Sequence, residues 1–144
     1  MLAADYGASS GRVMLGSFDG ERISLHEIHR FANEPVILNG KSSSTMYWDF
    51  LRLFHELKTG ITKAGIMQGR SGAAISSIGV DTWGVDYGLL GKDGMLLSNP
   101  VHYRDARTEG MLKKAFSRMD RERLYEITGS QFMEINTAFQ LMAE

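Results

Sequence analysis

Cysteine is absent from all 144 residues, which excludes disulfides and zinc sites built on thiolates. No apolar run approaches the roughly 20 residues needed to span a bilayer, and no leader precedes an opening strand at Leu2, so the expectation is a cytoplasmic protein with no membrane partner. An excess of either charge is missing too. Sixteen Lys and Arg against seventeen Asp and Glu leave a net charge of -1, which gives no general attraction to nucleic acid or to acidic lipid. Neither G-x-x-x-x-G-K-[ST] nor G-x-G-x-x-G occurs, which removes the P-loop and dinucleotide-binding readings. Repeats, low-complexity tracts and basic stripes with interleaved aromatics are lacking as well.

With 43% hydrophobic and 23% charged residues, the chain has the balance of an ordinary globular protein. Its length suits one domain, 1–144, with a sizeable core. The chain opens almost on a strand and stops inside a helix-like pattern, so it is expected to be part of a longer protein. The nine Met residues are spread over several elements and read as core filler.

The organising stretch is Asp5-Tyr6-Gly7-Ala8-Ser9-Ser10-Gly11-Arg12. Small residues between two strands let the backbone turn tightly and expose consecutive N–H groups, a concavity suited to phosphate oxygens. Asp5, at the end of the first strand beside that loop, is placed to hold hydrated magnesium, a hard cation that takes carboxylate and water oxygens. An exposed Asp on a plain hairpin satisfies the same local pattern.

Downstream, Val13 to Phe18 alternates with apolar residues on both faces, predicting a strand in a covered sheet. Asp19-Gly20 predicts a hairpin turn, with Ile23 to Phe31 as the returning strand. His26 and His29 lie on opposite faces of such a strand, and without acidic or Cys partners at ligand spacing they read as surface groups rather than metal ligands. Asn33 to Thr45 reads as a loop, broken by Pro35, Asn39-Gly40 and Ser42-Ser43-Ser44. Trp48, Leu51, Phe54, Leu57, Ile61 and Ala64 recur at helical spacing, with Thr45 or Asp49 as the cap and Gly69-Arg70-Ser71-Gly72 as the break.

Ile75 to Asp81 reads as the next strand, running into Asp81-Thr82-Trp83-Gly84-Val85-Asp86. Ligands of α/β sheets collect at the carboxyl ends of strands, where Trp83 would stack on a sugar ring and Gly84 would admit a ligand to the backbone. A Trp buried beside a bulged strand accounts for the spacing equally. Val85 to Leu90 and Met95 to Leu97 read as a second hairpin through Lys92-Asp93-Gly94. Asp105 in Tyr103-Arg104-Asp105-Ala106-Arg107-Thr108 reads as the cap of an ion-paired helix start, and His102 as structural. Two short amphipathic helices, Glu109 to Arg118 and Asp120 to Thr128, follow, the second closed by Gly129.

The opening D-x-G-A-S-S-G-R resembles the first phosphate-binding hairpin of the actin-like ATPases, and in full it is similar to the branch of the FGGY carbohydrate kinases that phosphorylates L-rhamnulose. The segments D-T-W-G-V-D, Y-R-D-A-R-T and the terminal T-G…N-T…Q-L pattern are similar to that family too, so the resemblance covers nearly the whole chain. It implies an α/β, actin-like, ribonuclease-H-like fold with a mixed sheet, ATP and Mg2+ as cofactors, and L-rhamnulose as the small-molecule partner. It places the nucleotide phosphates on Ala8, Ser9, Ser10, Gly11 and Arg12, the metal on Asp5, and the sugar on Gly84 with Trp83 shaping the pocket. The family's catalytic base is an Asp beyond residue 144, so none of Asp81, Asp86 and Asp105 takes that role and the chain alone is expected to be inactive. Another FGGY ketose or polyol kinase, or a non-catalytic actin-like nucleotide-binding protein, remains open at this point.

Overall fold

The computed structural model describes residues 1–71 and 74–144. They form two compact units: residues 1–34 with 49–84, and residues 35–48 with 85–144.

The first unit is built on four strands, β1 (Leu2–Tyr6), β2 (Ser10–Phe18), β3 (Ile23–Ala32) and β6 (Ile78–Thr82), in the order β3-β2-β1-β6. β1/β2 and β2/β3 are antiparallel, as the two hairpin signals predict, and β6 joins β1 in parallel, which makes the sheet mixed. The Asp19-Gly20 turn forms as expected: Asp19 Oδ1 accepts from the N–H groups of Glu21 and Arg22. Leu2, Ala4, Tyr6, Val13, Leu15 and Phe31 share one face and bury it beneath the long helix α1 (Phe50–Ser71). The expected cover on both sides of β2 forms only in part. Gly11, Val13 and Leu15 are buried on the helix side; on the other face Gly16 is buried and Met14 half-buried, whereas Arg12 and Phe18 are exposed.

The helix turns Leu57 and Ala64 of the predicted stripe to the sheet but not its other members. Leu51, Phe54 and Ile61 are exposed, and Leu53, Gly60 and Ala64 are buried, with Leu57 packed alongside. Close approach decides this. A Cβ on Gly60 would lie 2.4 Å from Cγ2 of the fully buried Val13, so the closest approach runs through Gly60 and rotates Leu53 rather than Phe54 or Ile61 toward the sheet. Asp49 is the cap, its Oδ1 accepting from Arg52 N–H at 3.1 Å; Thr45 lies in a strand and Trp48 before the helix. Gly69, Arg70 and Ser71 still belong to the helix, and Gly72 lies outside the described residues.

A register shift in β3 overturns the expectation for the two histidines. Met14 pairs with Glu27 and Val13 with His29, leaving Ile28 without a cross-strand partner. A bulge of this kind resets the alternation. His26 therefore pairs with Leu15 and His29 with Val13, two positions of the same face. His29 is held there by Glu56 Oε2 at 2.6 Å and Lys63 Nζ at 2.9 Å.

In the second unit, the stretch read as a loop contains a hairpin, β4 (Val36–Asn39) with β5 (Ser44–Tyr47). Its breakers make the turn itself, closed by Gly40 N–H donating to Ser43 O at 2.8 Å, and the apolar run Val36-Ile37-Leu38 supplies a strand. The expected hairpin over 85–97 shrinks to a turn with a bridge between Leu90 and Leu96, and Val85 itself leaves extended backbone at φ 59°. Asp105 caps the 3-10 turn Ala106–Thr108, accepting from Arg107 N–H. Helices α2 (Met111–Phe116), α3 (Arg121–Thr128) and α4 (Thr137–Ala143) complete the unit, Gly129 closing α3 at φ 61°. The pattern of α3 predicts an amphipathic helix with a covered face, yet none of its residues is buried.

Candidate functional site

The Asp5–Arg12 stretch forms the turn between β1 and β2. Gly7 N–H donates to Ser10 O at 2.9 Å, which folds Gly7-Ala8-Ser9-Ser10 back on itself. Gly11 lies under the Phe31 ring, where a Cβ would come within 2.2 Å of Cζ, so the second strand can leave the turn only with glycine at that position. The turn is tied from outside by Asn33, the first residue of the stretch whose breakers predict a loop. Asn33 is 3% exposed, its backbone N–H donates to Ser9 O at 2.9 Å, and its Nδ2 donates to Gly7 O at 2.9 Å. A single Asn after a strand carries no local signal of this; only the register of β3 brings it beside the turn.

Asp5 lies level with Arg12 on one neighbouring strand and Asp81 on the other. Its Oδ2 accepts from Arg12 Nε at 2.9 Å and pairs with Nη2 at 2.8 Å, and the carboxylate stays 41% exposed. Among the described residues no three His, Cys, Asp or Glu side chains converge as a closed metal cage. One accessible carboxylate at the mouth of a turn nevertheless fits magnesium, which keeps most of its waters and takes few protein oxygens.

Trp83 and Gly84 follow directly on β6. Trp83 is half-buried, packs against the core of the first unit, and walls an apolar hollow of about 210 Å³ with Tyr6, Leu53, Leu57 and Val80. The Tyr6 hydroxyl donates to Leu53 O at 2.9 Å, and burial followed by the charge of Glu56 pushes its pKa up. Gly84 sits at φ 72°, and beyond its chain neighbours no atom lies within 4 Å of where its Cβ would be. Asp81 Oδ1 accepts from the N–H of its neighbour Thr82.

The D-x-R-T and N-T…Q segments meet in the second unit. Trp48, 1% exposed, stacks on His102 at 4.0 Å between centroids and donates from Nε1 to Asp86 Oδ2 at 2.6 Å. Gln140 Nε2 donates to Asp86 Oδ1 at 2.9 Å, and its Oε1 accepts from Arg107 Nη2 at 3.0 Å. Arg107 also pairs with Glu144. Asp105 Oδ2 accepts from Met46 N–H at 2.8 Å. Asp86 and Asp105 are thus engaged in holding the unit together.

His102 is 3% exposed and sits between the Trp48 and Tyr103 rings, with Nδ1 accepting from Arg104 N–H. Burial, foremost, lowers its pKa; Asp86 opposes this, the Arg104 charge adds to it, and Asp105 opposes it. The folded chain therefore binds this proton less readily than the unfolded chain, whose imidazole titrates near its ordinary value of about 6.5. The resulting stability is complete above that value and is lost as pH falls below it toward the folded pKa. Thermal midpoints of the wild type should fall between about pH 7 and 5.5, and His102→Gln should flatten that slope. Equal slopes for the two proteins would show that His102 contributes no linkage.

Residues 1–142 match the N-terminal domain of the FGGY family of carbohydrate kinases. The chain is 43% identical over 142 residues to a rhamnulokinase of Oceanobacillus iheyensis and 45% identical over 145 aligned positions to one of Mannheimia succiniciproducens, covering 99% of this chain and 28% of each relative. It therefore spans little more than a quarter of their length. Among solved structures, glycerol kinase of Plasmodium falciparum with ADP superposes with a TM-score of 0.73 at 19% identity, over 98% of this chain and 27% of that one. The fold is accordingly the actin-like α/β fold of these sugar kinases.

Proposed function

The chain belongs to the FGGY family of carbohydrate kinases, and on that premise we propose that it supplies the N-terminal portion of an ATP-dependent kinase converting L-rhamnulose to L-rhamnulose 1-phosphate. The observation that carries the substrate is the identity of 43–45% to rhamnulokinases along the entire chain.

In this reading the Ala8–Arg12 turn, stiffened by Asn33, cradles the nucleotide phosphates through its backbone, and Arg12 adds positive charge at its far end. Asp5 would hold the magnesium ion, which when bound neutralises charge on the transferring phosphoryl group. Transfer breaks the bond between the γ-phosphorus and the bridging oxygen and forms one to the primary sugar hydroxyl. Such catalysis is mostly positioning and charge stabilisation. The resemblance implies that the hydroxyl proton passes to an Asp beyond residue 144; within the chain, Asp86 is engaged by Trp48 and Gln140 and Asp105 caps a turn. Cytoplasmic action on small molecules, without nucleic acid or lipid, completes the proposal.

The test is ADP release by the complete protein with Mg-ATP and a panel of L-rhamnulose, D-xylulose and glycerol. The highest kcat/KM is expected for L-rhamnulose, and the 144-residue chain alone should not exceed a no-enzyme control. Preference for another sugar would reassign the substrate. Nucleotide-dependent polymerisation in light scattering, without sugar-dependent turnover, would favour the non-catalytic alternative.

A further inference from the structure

Val85 is the one residue other than glycine with positive φ among the described residues, at 59°. A branched Cβ crowds the backbone there, and such a conformation persists only where its surroundings enforce it. Two side chains of α4 do so. Thr137 Oγ1 donates to Val85 O at 2.5 Å, and Gln140 Nε2 reaches the same oxygen at 3.3 Å while donating to Asp86 Oδ1 at 2.9 Å. One helical turn apart, they sit on a common face of α4.

The orientation of the Gln140 amide is settled by its other partner. Arg107 is only a donor, so the oxygen of Gln140 faces Nη2 at 3.0 Å and the nitrogen is left for Val85, Asp86 and Ile135 O. Gln140 is 1% exposed, so water does not compete for these bonds. The N-T-x-x-Q spacing and the Arg of D-x-R-T thereby acquire one joint task.

We propose that Thr137 and Gln140 are positioning residues that clamp the Val85 carbonyl, holding Val85 left-handed and so fixing the backbone that follows the sugar-contacting Gly84. The sugar role of this clamp rests on the reading of Gly84 given above. Thr137→Val keeps the side-chain shape and removes the donor. Without that bond Val85 relaxes, the peptide it shares with Gly84 turns, and sugar binding weakens.

The experiment is a double-mutant cycle in the complete enzyme, joined to a crystal structure of each variant. Thr137→Val should raise the KM for L-rhamnulose roughly fivefold and leave the KM for ATP nearly unchanged, with Val85 moved out of the positive-φ region. Val85→Gly accepts that region without strain. In its background Thr137→Val should therefore have little effect on the sugar KM. An equal effect in both backgrounds, or a Val85 φ that stays positive in Thr137→Val, overturns the clamp. Unchanged sugar KM in Gly84→Val with a relaxed Val85 in Thr137→Val overturns the pocket reading and the sugar role together, while the two structures still separate that failure from failure of the clamp.

Discussion

Asp5→Asn in the complete enzyme should lower the turnover number by roughly two to four orders of magnitude, while the KM for sugar changes little. The substitution keeps the size of the side chain and its place on β1, whose pairing with β2 and β6 runs through the backbone. What it removes is the charge. Metal stabilisation of a transferring phosphoryl group is worth several kcal/mol, and each factor of ten in rate corresponds to about 1.4 kcal/mol. The fold should hardly notice: the Asp5–Arg12 pair is accessible, at 41% and 46% side-chain exposure, and exposed pairs contribute about 0–1 kcal/mol. A large kinetic loss at nearly constant thermal midpoint is therefore the expected signature. Unchanged turnover at saturating magnesium would leave Asp5 as the ion-pair partner of Arg12 and nothing more.

Gly84→Val should raise the KM for L-rhamnulose about tenfold or more and leave that for ATP almost untouched. Apart from Gly84 itself and its two chain neighbours, no protein atom lies within 4 Å of the added Cβ, so the new side chain meets open space, which is the space a ligand at this backbone would use. The second contribution is conformational. At φ 72° a branched residue carries strain on the order of 1–3 kcal/mol, which the chain relieves by moving the backbone away from its productive position. Thermal unfolding measured in parallel separates a displaced backbone from an unfolded one. If the folded variant kept wild-type sugar kinetics, Trp83 and Gly84 would revert to the rim of the first unit's core.

Signals confined to a few residues were legible from the chain alone. Asp19-Gly20 set a hairpin, Gly129 ended α3, Asp105 capped its turn, and the alternation of β2 marked a strand, because turn and strand preferences arise from backbone sterics and near-neighbour bonding. The motifs D-x-G-A-S-S-G-R and D-T-W-G-V-D also pointed to the family before any coordinates did. Their geometry did not follow from them. Neither the Asn33 tie across the turn between β1 and β2 nor the occupation of Asp86 by Trp48 and Gln140 has a local signature.

The chain by itself determined the Asp19-Gly20 turn, the strands that flank it and which family it joins. Tertiary structure decided which faces meet. Gly60 against Val13 chose the buried stripe of α1, the unpaired Ile28 placed both histidines on one side of β3, and the breakers at Gly40 became a turn between strands. It also decided the backbone of Val85, whose carbonyl is held by a hydroxyl 52 positions away along the chain. Local preference disfavours that conformation, so only bonds formed after the chain has folded back on itself can hold it there.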